Sequence, residues 1–357
     1  MTNRKDDHVK LANKFYQEES ISDFDSIRFV YNSLPEIKLS DVNLKTRVAE
    51  IKMDYPIFIN AMTGGSAKTK IINEDLAKVA KATKLAIASG SLSAALKDES
   101  LKDSFKVIRD NNRKGIVFAN LGAEHDFLNA QAAIEILKAD ALQIHLNVIQ
   151  ELVMPEGDRD FSIWLSNIKE IKSKAKIPII VKEVGFGMSR ETIEKLLEVK
   201  VDAIDVSGFG GTNFAKIENY RRKSHDYSYL NNFGQSTVIS LLEAQAFINK
   251  TSIIASGGIR NPLDVVKSLA LGAKAVGISG LILNHLLEFG VDSTIELINN
   301  WKKELKVIMT ILGVENIEQL REVDLIILDD VKTWCQARNI DYRSFANRQK
   351  NKTNKRD

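Results

Sequence analysis

The sequence lacks the features that mark secreted and membrane-spanning proteins. A single cysteine, Cys335, among 357 residues excludes an internal disulfide. The N-terminal segment has no apolar core of a signal peptide, and no later run is apolar over the length needed to cross a bilayer. We therefore expect a cytoplasmic protein with no membrane partner. Cys335 falls in a helical pattern and is interpreted as a buried or idle thiol.

An excess of charge of one sign is also absent. Lysine and arginine number 50 against 47 aspartates and glutamates, for a formal net charge of +3. This balance does not favour nucleic acid or an anionic membrane as a partner, so an anionic ligand would need a local site. The length and the 44% hydrophobic content suit one domain of barrel size with extensions.

Apolar runs alternate with helical patterns from Pro56 onward. The runs predict eight strands, over residues 57–62, 86–90, 116–121, 141–147, 178–184, 203–208, 252–257 and 275–279. Helical spacing separates them over 71–84, 101–111, 130–138, 163–175, 192–200 and 238–248. This α/β alternation favours a closed (β/α)₈ TIM barrel over an open doubly wound sheet, although periodicity does not distinguish the two.

The segments outside the barrel are predicted from their patterns. Residues 1–55 form an N-terminal arm and cap, with a helix over 9–19 and a hairpin between residues 37 and 51. Residues 56–313 form the barrel and its long last helix, and 314–357 a helical extension patterned over 317–338 with a disordered polar tail from 348. The long connection 209–233 is interpreted as a lid.

Two glycine-containing strand ends lie one strand–helix unit apart. Gly257-Gly258 follows the seventh predicted strand and Ser279-Gly280 the eighth, while Asn261 and Pro262 predict a capped helix start between them. Small residues leave backbone N–H groups open to an anion, and barrels often bind phosphate at these two loops. One Gly-Gly would indicate only a tight turn, but two such ends favour a phosphate site.

Polar residues inside the fourth predicted strand are the strongest sign of a site. The period of two places Gln143, His145 and Asn147 on one face, pointing into the barrel towards its C-terminal mouth. A lone buried histidine is more often a core residue, but two polar neighbours favour a site. Glu151 follows, and is either a magnesium ligand or an ordinary loop glutamate.

Other strand ends and the N-terminus carry weaker signals. Lys182 near the end of a strand must find an anion or extend to the rim. Asn120, Ser91 and Ser207 also end strands, and each alone means little. Arg4, Lys5 and His8 would share one helical turn and could clamp an anion, but solvated charges are the commoner reading of such residues.

In combination and in order, the motifs resemble those of type 2 isopentenyl-diphosphate isomerases, which are FMN-dependent (β/α)₈-barrel enzymes. The matching stretches are RKDDH at 4–8, FVYNSLP at 29–35, NAMTGG at 60–65, GS at 90–91, QIHLNVIQE at 143–151, VKEVG at 181–185, SGFGGTN at 207–213 and SGG at 256–258. They cover nearly all of the chain as far as Gly280. A Gly-Gly pair alone would not be specific.

The resemblance implies a role for each matched residue. FMN would be contacted by Ala61, Met62, Thr63, Ser91, Asn120, Lys182, Ser207 and Thr212, with Gly257, Gly258, Ile259, Ser279 and Gly280 around its phosphate. Substrate contacts would come from Arg4, Lys5, His8 and Gln150, the catalytic group would be Gln150, His145 and Asn147, and Glu151 would hold Mg²⁺.

The resemblance also implies the reaction, a step of isoprenoid biosynthesis in a homo-oligomer. Isopentenyl and dimethylallyl diphosphate would interconvert with no net redox change. Reduced FMN would be acid and base, with NADPH as reductant. No side chain identified above is an obvious strong acid. Lys182 would stabilise the anionic reduced flavin.

One departure from the resembled pattern concerns the diphosphate. Many members continue the Gly-Ser pair with Gln-Arg, whereas Leu92 and Ser93 stand here. We hypothesise that the lid cations Arg221, Arg222 and Lys223 replace the missing arginine.

Two alternatives stay open. An FMN-dependent 2-hydroxy-acid oxidase would carry His-Gly-Gly-Arg where this chain has FGGT at 209–212. A non-catalytic flavin-binding protein would not need the inward polar residues, which are costly to bury.

Overall fold

A computed structural model of the protein describes residues 4–16, 22–222 and 225–349. The strands are β1 Ile27–Phe29, β2 Thr46–Val48, β3 Ile51–Met53, β4 Ile57–Ile59, β5 Ala86–Ala88, β6 Val117–Gly122, β7 Ala141–Leu146, β8 Ile179–Glu183, β9 Ala203–Asp205, β10 Ser252–Ser256, β11 Ala275–Ile278 and β12 Leu325–Ile327. Strands β4 to β11 are all parallel to their neighbours and close into a barrel. The predicted (β/α)₈ barrel is confirmed, with every strand at its predicted place.

Helix α1 precedes the strands, and the other helices lie between and after them. They are α1 Arg4–Lys14, α2 Ala67–Thr83, α3 Ser93–Lys97, α4 Asp103–Asn111, α5 Phe127–Leu137, α6 Val148–Val153, α7 Trp164–Lys174, α8 Arg190–Glu198, α9 Phe214–Arg221, α10 Thr237–Glu243, α11 Pro262–Ala270, α12 Gly280–Ile311 and α13 Asp329–Ala337. The predicted start of α11 is confirmed, because the Asn261 side chain accepts from the Asp264 backbone N–H at 3.0 Å.

A hairpin closes the N-terminal end of the barrel. The Thr46 hydroxyl of β2 donates to the carbonyl of Lys274, just before β11, at 2.7 Å. The hairpin contributes to the apolar cluster inside the barrel, which includes Val48, Met53, Phe58, Phe118, Ile180 and Ile254. The predicted hairpin exists, but its placement is wrong: its strands are β2 and β3, whereas Leu39–Asp41 is a 3₁₀ turn.

The N- and C-terminal extensions meet in a second small sheet. Strand β1 pairs antiparallel with β12, placing Ile27 opposite Ile327. The prediction of helical structure throughout residues 317–338 is therefore wrong. Leu325 and Ile327 are buried and Ile326 is more exposed, which is the period of two of a strand. Helix follows only at α13.

The N-terminal helix and the C-terminal tail differ from their predicted extents, whereas Cys335 is buried as predicted. The helix predicted over 9–19 begins earlier, at Arg4, and residues 17–19 lie outside the described residues. Arg348, predicted to begin a disordered tail, instead donates to the carbonyl of Ala270 at 2.9 Å, and residues 350–357 lie outside the described residues. Cys335 is buried, and burial raises the pKa of its thiol to about 11, as expected for an idle thiol.

Connection 209–233 is not a structureless loop. Within its described residues it contains α9 and a 3₁₀ turn at Ser228–Leu230.

No described helix of the protein is both long and apolar enough to cross a membrane.

Candidate active site

A cavity of about 750 Å³ opens at the C-terminal ends of the barrel strands. Its size suits a cofactor-sized ligand. Every residue to which the motif resemblance gives a role lines it: Arg4, Lys5, His8, Ala61, Met62, Thr63, Ser91, Asn120, His145, Asn147, Gln150, Glu151, Lys182, Ser207, Thr212, Gly257, Gly258, Ile259, Ser279 and Gly280. Their assembly around one cavity is observed, and their individual roles stay predictions.

The loops after β10 and β11 form a corner of the cavity at Gly257, Gly258 and Gly280, here called the glycine corner. Gly257 and Gly258 have φ values of +89° and +71°, and a Cβ on Gly257 would lie 2.0 Å from the carbonyl oxygen of Gly208. Helix α12 begins at Gly280, and Ser279 makes no side-chain capping hydrogen bond within the described chain. The first N–H groups of α12 are thus not capped by that side chain, which suits an anion.

The cavity wall includes a residue with a buried and unpaired polar atom. Thr63 is buried, and its Oγ1 has no hydrogen-bond partner among the residues that the structure describes. Because an unpaired buried hydroxyl is costly, this atom is suited to a polar group of a bound cofactor. This observation, together with the glycine corner, fits a flavin nucleotide.

Inside the barrel, a line of side chains runs from β9 to β7. Asn60 donates to Asp205 at 3.0 Å and accepts from Gln143 at 3.1 Å. Asn120 donates to Gln143 at 3.2 Å and meets His145 Nδ1 at 2.9 Å. Burial lowers the pKa of His145 to about 4, so its imidazole is neutral at physiological pH.

Lys182 brings a cation to the inner end of the cavity. It is only 6% exposed, and its ammonium donates to the carbonyl of Glu183 at 2.6 Å. Asp205 is its partner in the β8–β9 register. Burial lowers the pKa of Lys182 and raises that of Asp205, and in each case the opposite charge of the neighbour opposes the effect of burial.

Helix α1 brings the predicted N-terminal cations to the cavity. His8 Nε2 lies 2.7 Å from Glu218 Oε1 on α9. Burial, assisted by the charge of Arg4, lowers the pKa of Lys5 to about 8. These residues are therefore part of the cavity wall and not solvated bystanders.

Glu151 and Asn147 form the candidate magnesium position. Asn147 Nδ2 donates to Glu151 Oε1 at 2.8 Å, and burial raises the pKa of Glu151. The buried Asn147 Oδ1 has no hydrogen-bond partner within the described chain. The described residues contain no cluster of three or more His, Cys, Asp or Glu that could hold a metal. A single carboxylate beside Asn147 is compatible with Mg²⁺, which uses few protein ligands and completes its shell with water and phosphate oxygens.

Some known proteins are similar to this chain in sequence, and others in fold alone. Isopentenyl-diphosphate delta-isomerases of Latilactobacillus sakei subsp. sakei and Staphylococcus haemolyticus are 50% identical over 339 residues and 48% identical over 338 residues, each covering 95% of this chain and 97% of the relative. The chain belongs to the isopentenyl-diphosphate delta-isomerase family. The resemblance found in the motifs is confirmed. Residues 156–326 also match the FMN-dependent dehydrogenase family.

Solved structures of oxidases share the fold of this isomerase-family chain. A lactate oxidase of Pediococcus acidilactici superposes with a TM-score of 0.66 at 17% identity, covering 90% of this chain and 87% of that one. A mandelate oxidase variant with a monooxide FMN adduct gives 0.63 at 16% identity, covering 90% and 92%. At these identities the similarity shows the barrel alone.

The structure does not favour the lid cations as replacements for the missing arginine. Arg221 pairs with Glu218 and, at 2.9 Å, with Glu156. Arg222 bonds the carbonyl of Val153 and lies 4.3 Å from the ring centroid of Tyr227. Neither arginine lines the cavity. Lys223 lies outside the described residues.

Sequence reasoning missed several cavity residues of this family member. Ser93 lines the cavity and lies 2.7 Å from His125 Nε2, while the neighbouring Leu92 is buried. Glu124 also lines the cavity: burial acts to raise its pKa, but the hydrogen bond from His125 and the nearby imidazoles outweigh it and lower the pKa to about 2. Only the departure at Leu92-Ser93 pointed to this side of the site.

Proposed function

We propose that this chain is an FMN-dependent isopentenyl-diphosphate delta-isomerase. It interconverts isopentenyl and dimethylallyl diphosphate by adding a proton to the terminal methylene carbon and removing one from the neighbouring CH₂, with no net redox change. The supporting observation is a single cavity that is lined by the glycine corner and by Arg4 and Lys5 of α1, in a chain 50% identical to a named isomerase. Both parts are suited to anions.

The residues around the glycine corner are suited to FMN. Gly257, Gly258 and Gly280 would receive its phosphate at the start of α12, and Thr63 Oγ1 would take one of its polar atoms. Reduced FMN, when bound, supplies the acid and base of the reaction. Lys182 would lie by the flavin and stabilise its anionic reduced form. NADPH is proposed as the reductant.

The other half of the cavity is suited to the diphosphate. Arg4 and Lys5 supply positive charge from α1, where His8, whose pKa burial lowers, would contact the substrate as a neutral imidazole. Glu151 would hold Mg²⁺ on the diphosphate oxygens. His145, Asn147 and Gln150 would contact the reacting part of the substrate. Helices α1 and α9, which contact each other, would keep water from the reacting carbons.

A direct assay tests the proposal. Purified protein is incubated anaerobically with FMN, Mg²⁺ and isopentenyl diphosphate, with and without NADPH, and product is measured by mass spectrometry. We expect dimethylallyl diphosphate only when the flavin is reduced, with loss of activity on chelation of Mg²⁺. No product from protein carrying reduced flavin, or oxidation of a 2-hydroxy acid in its place, would reject the assignment.

The oxidase alternative is less well supported by the residues. Its histidine base would stand at position 209, where this chain has Phe209 in the cavity wall. An apolar ring cannot accept a proton. Assembly into a homo-oligomer belongs to our proposal through the motif resemblance alone, and light scattering of the purified protein tests it. A place in the cytoplasm is proposed from the sequence expectation given above.

A further inference from the structure

A continuous line of hydrogen bonds, buried except for a partly buried last step at His145, joins Asp205 to His145 across the barrel. We propose that this line fixes His145, which lines the cavity, as the neutral tautomer protonated on Nδ1, so that its Nε2 is a hydrogen-bond acceptor. The proposal rests on the donor and acceptor at each step. The two nitrogens of a neutral imidazole have opposite roles, and the partner of one decides the role of the other.

The orientation of Asn60 is fixed at the start of the line. The backbone N–H of Ala61 donates to Asn60 Oδ1 at 2.8 Å, and a backbone N–H can only donate. This atom is therefore oxygen, and the other amide atom is the Nδ2 that donates to Asp205. The Asp205 carboxylate accepts further hydrogen bonds from Ser256 Oγ at 2.8 Å and from the Ser207 N–H at 3.2 Å.

The orientation of Asn60 determines the orientations of the Gln143 and Asn120 amides. Because Asn60 presents an oxygen, Gln143 must present its Nε2 there, at 3.1 Å. The Oε1 of Gln143 is then left to accept from Asn120 Nδ2, which turns Asn120 Oδ1 towards His145. That oxygen lies 2.9 Å from His145 Nδ1 and can only accept, so Nδ1 carries the proton.

The consequence concerns what His145 can bind, and this step rests on the proposed function. A neutral imidazole protonated on Nδ1 offers a lone pair on Nε2. It would repel a diphosphate oxygen and would accept from a group that carries a proton. We therefore assign the binding of the diphosphate oxygens to Arg4 and Lys5, and to His145 an acceptor role towards a proton-bearing group in the cavity.

Gln143 acts in this line only through its neighbours. It is fully buried, does not line the cavity, and lies beside Asn120 in the β6–β7 register. It is thus a positioning residue whose own side chain is not part of the cavity wall. Ile180 is its partner in the β7–β8 register and is equally buried, which makes it a matched control.

The test reads the tautomer by ¹⁵N NMR of the FMN-loaded protein with labelled histidine rings. The chain has five histidines, and the His145 signal is assigned by its loss in His145→Gln. In the unchanged protein at neutral pH we expect a protonated Nδ1 and an unprotonated Nε2. Gln143→Met should shift most of the population to the form protonated on Nε2, whereas Ile180→Met should leave it unchanged.

A conservative variant separates positioning from a loss of packing. Gln143→Glu keeps an oxygen facing Asn120 Nδ2, so the original tautomer should be retained. Protonation of Nε2 in the unchanged protein would overturn the proposal, as would an unchanged tautomer in a folded Gln143→Met. If Gln143→Met does not fold, the unchanged protein and Gln143→Glu still decide it. The spectrum does not depend on turnover, so a failed isomerase assay with the expected tautomer would reject only the proposed function.

Discussion

At the scale of the residue, Lys5 is expected to control how diphosphate binding depends on pH. Burial, with a smaller contribution from Arg4, lowers its pKa to about 8, so the ammonium is charged below this pH and neutral above it. KM for isopentenyl diphosphate should therefore rise above pH 8, by up to about tenfold per pH unit. Steady-state kinetics between pH 6.5 and 9.5, a range set by the pKa of about 8, measure it.

Two variants on the same helix give the controls. Lys5→Arg should abolish the rise in KM, because a guanidinium stays charged over this range. Lys10→Arg changes an exposed lysine of α1 and should keep the unaltered profile. A rise that persists at the same pH in Lys5→Arg would show that another group is responsible.

Single residues also show how far a sequence can be read. The period of two correctly turned Gln143, His145 and Asn147 inward, because pleating fixes that alternation locally. Glu218 could not be found in this way. It contacts Gln150, 68 positions earlier, only because α9 packs against α6. The sequence pattern identified Lys5 only as a charged residue on a helical turn. Its place at the cavity was expected only from the motif resemblance.

At the scale of the element, Gly257 is expected to be essential to the loop between β10 and α11. Alanine there would have an unfavourable φ and a Cβ 2.0 Å from the Gly208 carbonyl, so the backbone must move. We expect Gly257→Ala to weaken FMN binding by at least about tenfold, equivalent to about 1.4 kcal/mol. Titration of flavin fluorescence measures it.

Gly290, inside α12, is the matched control for that strain. Its φ is +79°, but a Cβ there would have nothing within 4 Å. Gly290→Ala should therefore lower stability by roughly 1 kcal/mol and leave FMN affinity unchanged. Equal losses of affinity in both variants would mean that general destabilisation, and not the glycine corner, explains the effect.

The small sheet of β1 and β12 is expected to hold the two extensions together. Leu325 is fully buried, whereas its neighbour Ile326 is 36% exposed. Leu325→Ala should lower the free energy of unfolding by about 2–5 kcal/mol, and Ile326→Ala by clearly less. Urea unfolding measures both, and similar losses would contradict the packing of β12.

This sheet marks the point at which local patterns fail. A strand of three residues gives little periodicity of its own, and helical spacing on both sides of Leu325–Ile327 dominates the window. Its partner is Ile27–Phe29, nearly the whole chain away. Long-range pairing of this kind leaves no local signal, so the second sheet could not be predicted.

At the scale of the whole molecule, the barrel was predictable because its signal repeats. Each buried parallel strand reads as an apolar run, and each covering helix as a 3.6-residue pattern. Closure itself was not visible, since it depends on the pairing of β4 with β11. The placement of the site at the C-terminal mouth followed from this architecture, in which strand ends far apart in sequence meet.

If FMN binds only the closed barrel, it should stabilise the whole molecule. A ligand at 100 times its Kd adds about 2.7 kcal/mol to the free energy of unfolding. The thermal midpoint should therefore rise with FMN concentration.

Riboflavin, which lacks the phosphate, should raise the midpoint less than FMN at equal concentration, because it cannot use the corner of Gly257, Gly258 and Gly280. Differential scanning calorimetry at matched concentrations compares the two, and Gly257→Ala should remove most of the difference. Equal shifts for FMN and riboflavin would place the phosphate outside this corner.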